Sequence, residues 1–194
     1  MSLKLWLIRH GQTSVNAGIW SDKPAEACLT PLGKEQAMKA ALAITEPPQL
    51  IITSPLTRAK ETAEYVLNRW PLSPSCSWPI QEFIYLSPSE LKKLDEPARK
   101  ELISSYWQKC DPFYCHGNDT ESFSAFLKRI ELFSLQISTL KGFVVVIGHG
   151  QFFKAYQLGL HYGFNASAVW MKRYREEETH NPIKNGEIIK LFFD

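Results

Sequence analysis

Cysteine is scarce in this chain, with four in 194 residues and no CxxC pair among Cys28, Cys76, Cys110 and Cys115. That excludes a fold stapled by disulfides and fits reduced thiols. The segment CDPFYCH puts Cys110, Cys115 and His116 close together, but without paired ligand spacing, so a zinc site would need a ligand from elsewhere. No apolar run approaches membrane-spanning length. The apolar start, MSLKLWLIRH, is cut by Arg9 and His10 before it reaches signal-peptide length, and no small-residue cleavage pattern follows. A cytoplasmic protein with no membrane partner is expected. The formal net charge is only +2, and the basic residues form neither a block nor an aromatic-interleaved stripe, so nucleic acid is not an expected partner. No repeat of solenoid period is present.

What remains is an ordinary globular composition, 44% hydrophobic and 22% charged. The length suits one domain, 1–194, with a substantial core. Two stretches share an unusual ending. LWLIRHGQT, from Leu5, and VVVIGHGQF, from Val144, run as buried strands would and then stop at His-Gly-Gln.

Between them the chain alternates strand and helix signals. Lys4 to Ile8 reads as a strand, and Thr30-Pro31 opens a helix to about Ile44, with threonine as N-cap and proline at the first helical position. Leu50 to Thr53 is a second strand, followed by a helix to about Trp70 with apolar residues at helical spacing. Pro71 to Pro79 reads as a loop and Ile80 to Leu86 as a strand. Ser87-Pro88-Ser89-Glu90 is a capping box opening a helix interrupted near Pro97, with more helix to about Gln108. A cap-like insertion is expected at about 86–119. Asp119-Thr120 should cap a long helix to about Leu140. Phe143 to Ile147 is the most apolar strand and Gln151 to Leu160 a helix. Ala168 to Tyr174 and Glu187 to Phe193 read as late strands at a sheet edge.

This alternation implies an α/β fold, a three-layer α/β/α sandwich on a mostly parallel sheet. In such sheets ligands bind beyond the carboxyl ends of the strands, where His10 and His149 both fall. Arg9, His10, Arg58 and His149 would then form a cationic pocket suited to a phosphate, since arginine donates paired hydrogen bonds and helix N-termini add oriented N–H groups. A histidine among arginines is held neutral by like charge and keeps a lone pair that can attack phosphorus. The arginines and a second histidine, expected cationic, would stabilise the equatorial oxygens during in-line displacement. With those cations present no metal or other cofactor is expected.

The chain resembles the histidine phosphatase superfamily, also called phosphoglycerate mutase-like. The signature is LIRHGQT, followed in order by LTPLGKEQA (29–37), ITSPLTRAKETAEYV (52–66), DTESFSAFLKRI (119–130) and VVVIGHG (144–150). The resemblance implies that His10 forms a phosphohistidine, that Arg9 and Arg58 clamp the phosphoryl group, that His149 completes the pocket, and that Gln12 and Asn16 lie near the entering phosphate. The family's general acid corresponds to Glu82 in WPIQEFIYL; Glu90, the rival, is already explained as a cap. Ser122 could contact the phosphate or simply start a helix. In the family's mutases an arginine and a tyrosine-glycine step follow the glutamate, whereas Phe83, Ile84 and Tyr85 follow it here. A phosphatase acting on a small phosphorylated substrate is therefore expected. The alternatives are a phosphoglycerate mutase-type transferase and a non-catalytic phospho-ligand-binding module. Trp107, Phe113 and Tyr114 read as core of the cap rather than as pocket lining, His116, His161 and His180 as loop or surface residues, and Lys172 to Glu178 as a solvated edge.

Overall fold

The structure is a computed structural model that describes residues 2–19, 21 and 23–194. Among the described residues, five strands form one sheet in the order β3-β2-β4-β1-β5. They are β1 (Leu3–Arg9), β2 (Leu50–Thr53), β3 (Ser75–Ser77), β4 (Gly142–Gly148) and β5 (Ile188–Phe193). All neighbours run parallel except β5, which lies antiparallel on β1. The helices are α1 (Pro31–Ala43), α2 (Thr57–Arg69), α3 (Pro88–Leu91), α4 (Glu96–Lys109), α5 (Phe123–Ser138), α6 (Gly150–Tyr162) and α7 (Ala168–His180).

The two faces of the sheet follow from the strand period of two. In β1 and β4, Trp6, Ile8, Val145 and Ile147 face Ala40 and Ala41 of α1 and Ala59, Ala63 and Val66 of α2. Leu5, Leu7, Val144 and Val146 face the other way, into a larger core with Phe126 and Ile130 of α5, Phe152 and Tyr156 of α6, and Tyr174 of α7. Strands buried on both faces must be apolar throughout, which is why these runs show no polar alternation.

Register explains the shared strand ending. Arg9 pairs with Gly148 in the β1–β4 ladder, and the His10 amide continues it by donating to the Gly148 carbonyl at 3.0 Å. His10 and His149 therefore leave the sheet side by side. Thr53 pairs with Ile147, which brings Ser54 to the same level.

Three local expectations are corrected. Ile80 to Leu86 forms no strand; its backbone is held by isolated bonds instead, with Arg129 donating to the carbonyls of Gln81 (2.8 Å) and Glu82 (3.3 Å) and the Glu121 amide to that of Ile84 (3.0 Å). The sheet edge is Ser75–Ser77, inside the proline-rich stretch expected as a loop. An edge strand tolerates nearby prolines because it needs a ladder on one side only. Ala168 to Tyr174 is helix, with Ser167 capping α7 by accepting from the Trp170 amide at 3.1 Å and Trp170, Met171 and Tyr174 buried at helical spacing. Helix bounds also move. Ser122, not Asp119 or Thr120, caps α5 by accepting from the Ala125 amide at 3.1 Å. The interruption expected near Pro97 falls just before it, between α3 and α4, and Pro97 sits in the first turn of α4, capped by Asp95.

Candidate active site

The site lies at the carboxyl edge of β1, β2 and β4. His10 is 2% exposed. Its Nδ1 is 2.7 Å from the Gly11 carbonyl oxygen, and because a carbonyl can only accept, Nδ1 carries the proton. Nε2 is then the lone-pair nitrogen, and the Arg58 Nε–H donates to it at 3.1 Å. Burial, with Arg58 and then Arg9 adding like charge, lowers the His10 pKa to about 3.

His149 is fully buried, its ring centroid 5.2 Å from that of His10, and its Nε2 lies 2.7 Å from Ser54 Oγ. Burial first, then Arg58 and His10, push its pKa well below the usual value. The cationic His149 expected from sequence is thus corrected to a neutral ring. Its Nδ1, like Nε of Arg9, is buried with no hydrogen-bond partner among the described residues. Buried polar atoms without partners are costly.

Arg9, the last residue of β1, donates through Nη1 to the Ile183 carbonyl. Room for its side chain comes from Gly150, where a Cβ would stand 3.1 Å from Arg9 Cδ and Nε. The tighter constraint is the turn after His10. A Cβ on Gly11 would come within 2.1 Å of the Gly33 carbonyl oxygen, and one on Gly33 within 2.0 Å of the Gln12 carbonyl oxygen. Two glycines thus let the turn lie against α1. Arg58, in the first turn of α2, also donates to the Pro24 carbonyl at 2.8 Å.

Glu82 reaches the first turn of α6. Its carboxylate accepts from the Phe152 amide at 3.2 Å and the Gln151 amide at 3.4 Å. Burial raises its pKa, opposed by Arg9, Arg58 and the two amides. The Glu82 backbone is fixed by Arg129, which also forms a two-pronged ion pair with Glu121 (2.8 and 2.6 Å). Glu90 accepts from Lys93 at 2.8 Å, and its amide donates to the Ser87 cap at 3.4 Å; only this one arm of the expected capping box forms.

Gln12 and Asn16 serve the loops around the site. Gln12 Oε1 accepts from Thr30 Oγ1 at 2.9 Å. Asn16 Oδ1 accepts from the amide and hydroxyl of Thr13 (3.1 and 3.0 Å) and from Asn185 Nδ2 (3.2 Å), while Asn185 also donates to the His10 carbonyl at 3.1 Å. Sequence reading missed Ser54, Gly33, Arg129, Glu121 and Asn185. Of these, all but Asn185 lie inside the motif blocks quoted from the sequence. The thiols of Cys110 and Cys115 hydrogen-bond to the carbonyls of Ala168 and Thr120 (3.2 and 3.3 Å). Phe113 is 70% exposed, and Trp107 packs on Phe83 and Tyr85.

A cavity of about 910 Å³ lies beside residues 180–189 and includes none of these catalytic candidates. A smaller cleft of about 530 Å³ has Arg58, Glu82 and Gln151 among its walls.

Residues 5–178 match the histidine phosphatase superfamily (branch 1), and the chain belongs to that family. One relative, the adenosylcobalamin/alpha-ribazole phosphatase of Escherichia coli K12, is 28% identical over 173 residues, which cover 87% of this chain and 83% of that protein. The Salmonella typhimurium protein of the same name is 30% identical over 148 residues, covering 73% and 68%. The fold matches the crystal structure of a putative alpha-ribazole-5'-P phosphatase from E. coli at a TM-score of 0.72 and 24% identity, covering 99% of this chain and 91% of that one. It also matches a phosphoserine phosphatase from Entamoeba histolytica at 0.69 and 22%, covering 97% and 89%. These relatives are phosphatases by name, and the sandwich expected from sequence is the fold found.

Proposed function

We propose that the protein hydrolyses a small phosphate monoester through a phosphohistidine on His10. The observation that carries this reading is the neutral His10 imidazole, whose lone-pair nitrogen faces an arginine while two buried nitrogens nearby, Arg9 Nε and His149 Nδ1, have no partner among the described residues. With the Ser54 hydroxyl donating to His149 Nε2, Nδ1 carries the ring proton and both are donors. A phosphoryl group would satisfy those donors.

In the first step His10 Nε2 forms a bond to phosphorus as the ester P–O bond breaks, and Glu82 gives its proton to the leaving oxygen. Arg9, Arg58 and His149 Nδ1–H stabilise charge on the equatorial oxygens. In the second step water attacks phosphorus and the P–N bond breaks, restoring the His10 lone pair. Glu82 takes the water proton, and phosphate leaves. The guanidinium groups supply the charge that a divalent ion would otherwise provide, so the reaction is metal-independent.

Two successive in-line displacements invert phosphorus twice. Hydrolysis of an isotopically chiral phosphate ester is therefore expected to proceed with net retention. Inversion would mean direct attack by water and would refute the covalent route. Transfer to 3-phosphoglycerate rather than to water would identify a mutase, and binding without turnover a phospho-ligand module.

A further inference from the structure

The cleft beside Arg58 and Glu82 is unlike the phosphate end that it adjoins. Away from those two residues and Gln151, its walls are mainly apolar, built from Val15, Leu56, Phe83, Ile84, Leu91 and Ile103. Ile84 is 37% exposed, an aliphatic side chain left open to water inside a concave wall. Isolated exposed apolar residues are ordinary, whereas several lining one concave surface mark a binding site.

The charges are distributed unevenly. Among the described residues lining the cleft, the charged side chains are Arg58, Glu82, Lys23 and Glu26. Arg58 is committed to His10 and the Pro24 carbonyl. Lys23 and Glu26 face each other at 3.3 Å, each 67% exposed, so they offset one another at the rim. The deeper walls therefore carry no cation to grip a second phosphate or a carboxylate on the leaving group. Burying an unpaired charge against them would be costly, while apolar surface would gain from leaving water. At about 530 Å³, the volume is in the range of small-molecule sites.

We infer that this cleft is the leaving-group subsite, and that the preferred substrates are phosphate monoesters of uncharged, apolar alcohols, aliphatic or aromatic, rather than of acidic or doubly phosphorylated ones. This assignment rests on the phosphatase reading for its chemistry but can be tested without turnover. The deciding observation is continuity: Arg58, Glu82 and the apolar wall belong to one cavity, so an ester whose phosphate reaches Arg58 has its alcohol portion against Phe83 and Ile84.

A series of n-alkyl phosphonates from ethyl to hexyl, titrated calorimetrically into the wild-type protein, measures the subsite directly because phosphonates cannot be hydrolysed to an alcohol. Affinity is expected to rise two- to fourfold for each methylene that becomes buried. The matching alkyl phosphates, whose alcohols differ little in acidity, should show the same trend in kcat/KM. The double variant Val15→Asn with Ile84→Asn changes partly exposed wall residues without adding charge and should flatten the trend. A flat wild-type series, tighter binding of 3-phosphonopropionate than of hexylphosphonate, or a trend that survives the double variant would overturn the subsite. A rising phosphonate series with no hydrolysis of any phosphate would instead leave the subsite standing and refute the phosphatase reading.

Discussion

Lowering the pH from 7 to 5 should destabilise the folded protein, and His10 should account for a measurable share of the loss. Its native pKa lies at about 3 against an ordinary value of 6.5. Between those values the unfolded chain binds a proton that the folded chain refuses, so stability rises with pH and is lost as pH falls below about 6.5. The slope is about 1.4 kcal/mol per pH unit for one group, giving roughly 2 kcal/mol at pH 5. His149, lowered for the same reasons, adds a loss of the same sign. Glu82 works the other way. Its raised pKa means that the folded state takes up a proton before the unfolded state does, so acid relieves a strain that it imposes at neutral pH. The assay is urea unfolding from pH 7 to 5 in phosphate-free buffers, because phosphate would bind the folded site. His10→Asn should be more acid-tolerant than wild type, with its stability difference shrinking by about 2 kcal/mol over that interval. Parallel profiles for wild type and His10→Asn would refute a buried, neutral imidazole.

Two further outcomes follow from the acid and its mounting. Glu82→Gln should slow alkyl phosphates by about 10²–10⁴-fold while p-nitrophenyl phosphate, whose leaving group needs no proton, loses far less; steady-state kinetics on both substrates check this, and an equal loss would remove Glu82 as the acid. Arg129→Met deprives the Gln81 and Glu82 carbonyls and Glu121 of their donor. With the pair about one-fifth exposed, a loss of about 2 kcal/mol is expected, a Tm drop of roughly 4–8 °C, together with a selective fall in kcat for alkyl phosphates. An unchanged Tm in calorimetry would show that the mounting contributes nothing.

The phosphate end was legible because it is local in sequence. Arg9, His10, Arg58 and His149 each follow a strand end or open a helix, and a parallel sheet gathers such positions at one edge without further information. The pairing of Arg9 with Gly148, which places the two histidines together, needed the topology. The segment around Glu82 was misread because Phe83, Ile84 and Tyr85 have the residue types of a strand, while its actual support comes from far along the chain, from Arg129 on the Gln81 and Glu82 carbonyls and the Glu121 amide on the Ile84 carbonyl. Ala168 to Tyr174 failed for a related reason: valine, tryptophan and tyrosine favour strands, but burial of Trp170, Met171 and Tyr174 against α5 and α6 decides for helix. The charge state of His149 could not be read from its neighbours in sequence, since burial is the main cause of its neutrality.

The central claim is a covalent bond between His10 Nε2 and phosphorus. Mixing enzyme with ³²P-labelled alkyl phosphate, quenching in alkali within milliseconds, and mapping the label by mass spectrometry tests it most directly. The account requires a base-stable, acid-labile phosphoryl group on residue 10 that is absent from His10→Ala and that accumulates and decays at rates compatible with turnover. Label on a serine, aspartate or cysteine, or undiminished turnover in His10→Ala, would contradict it.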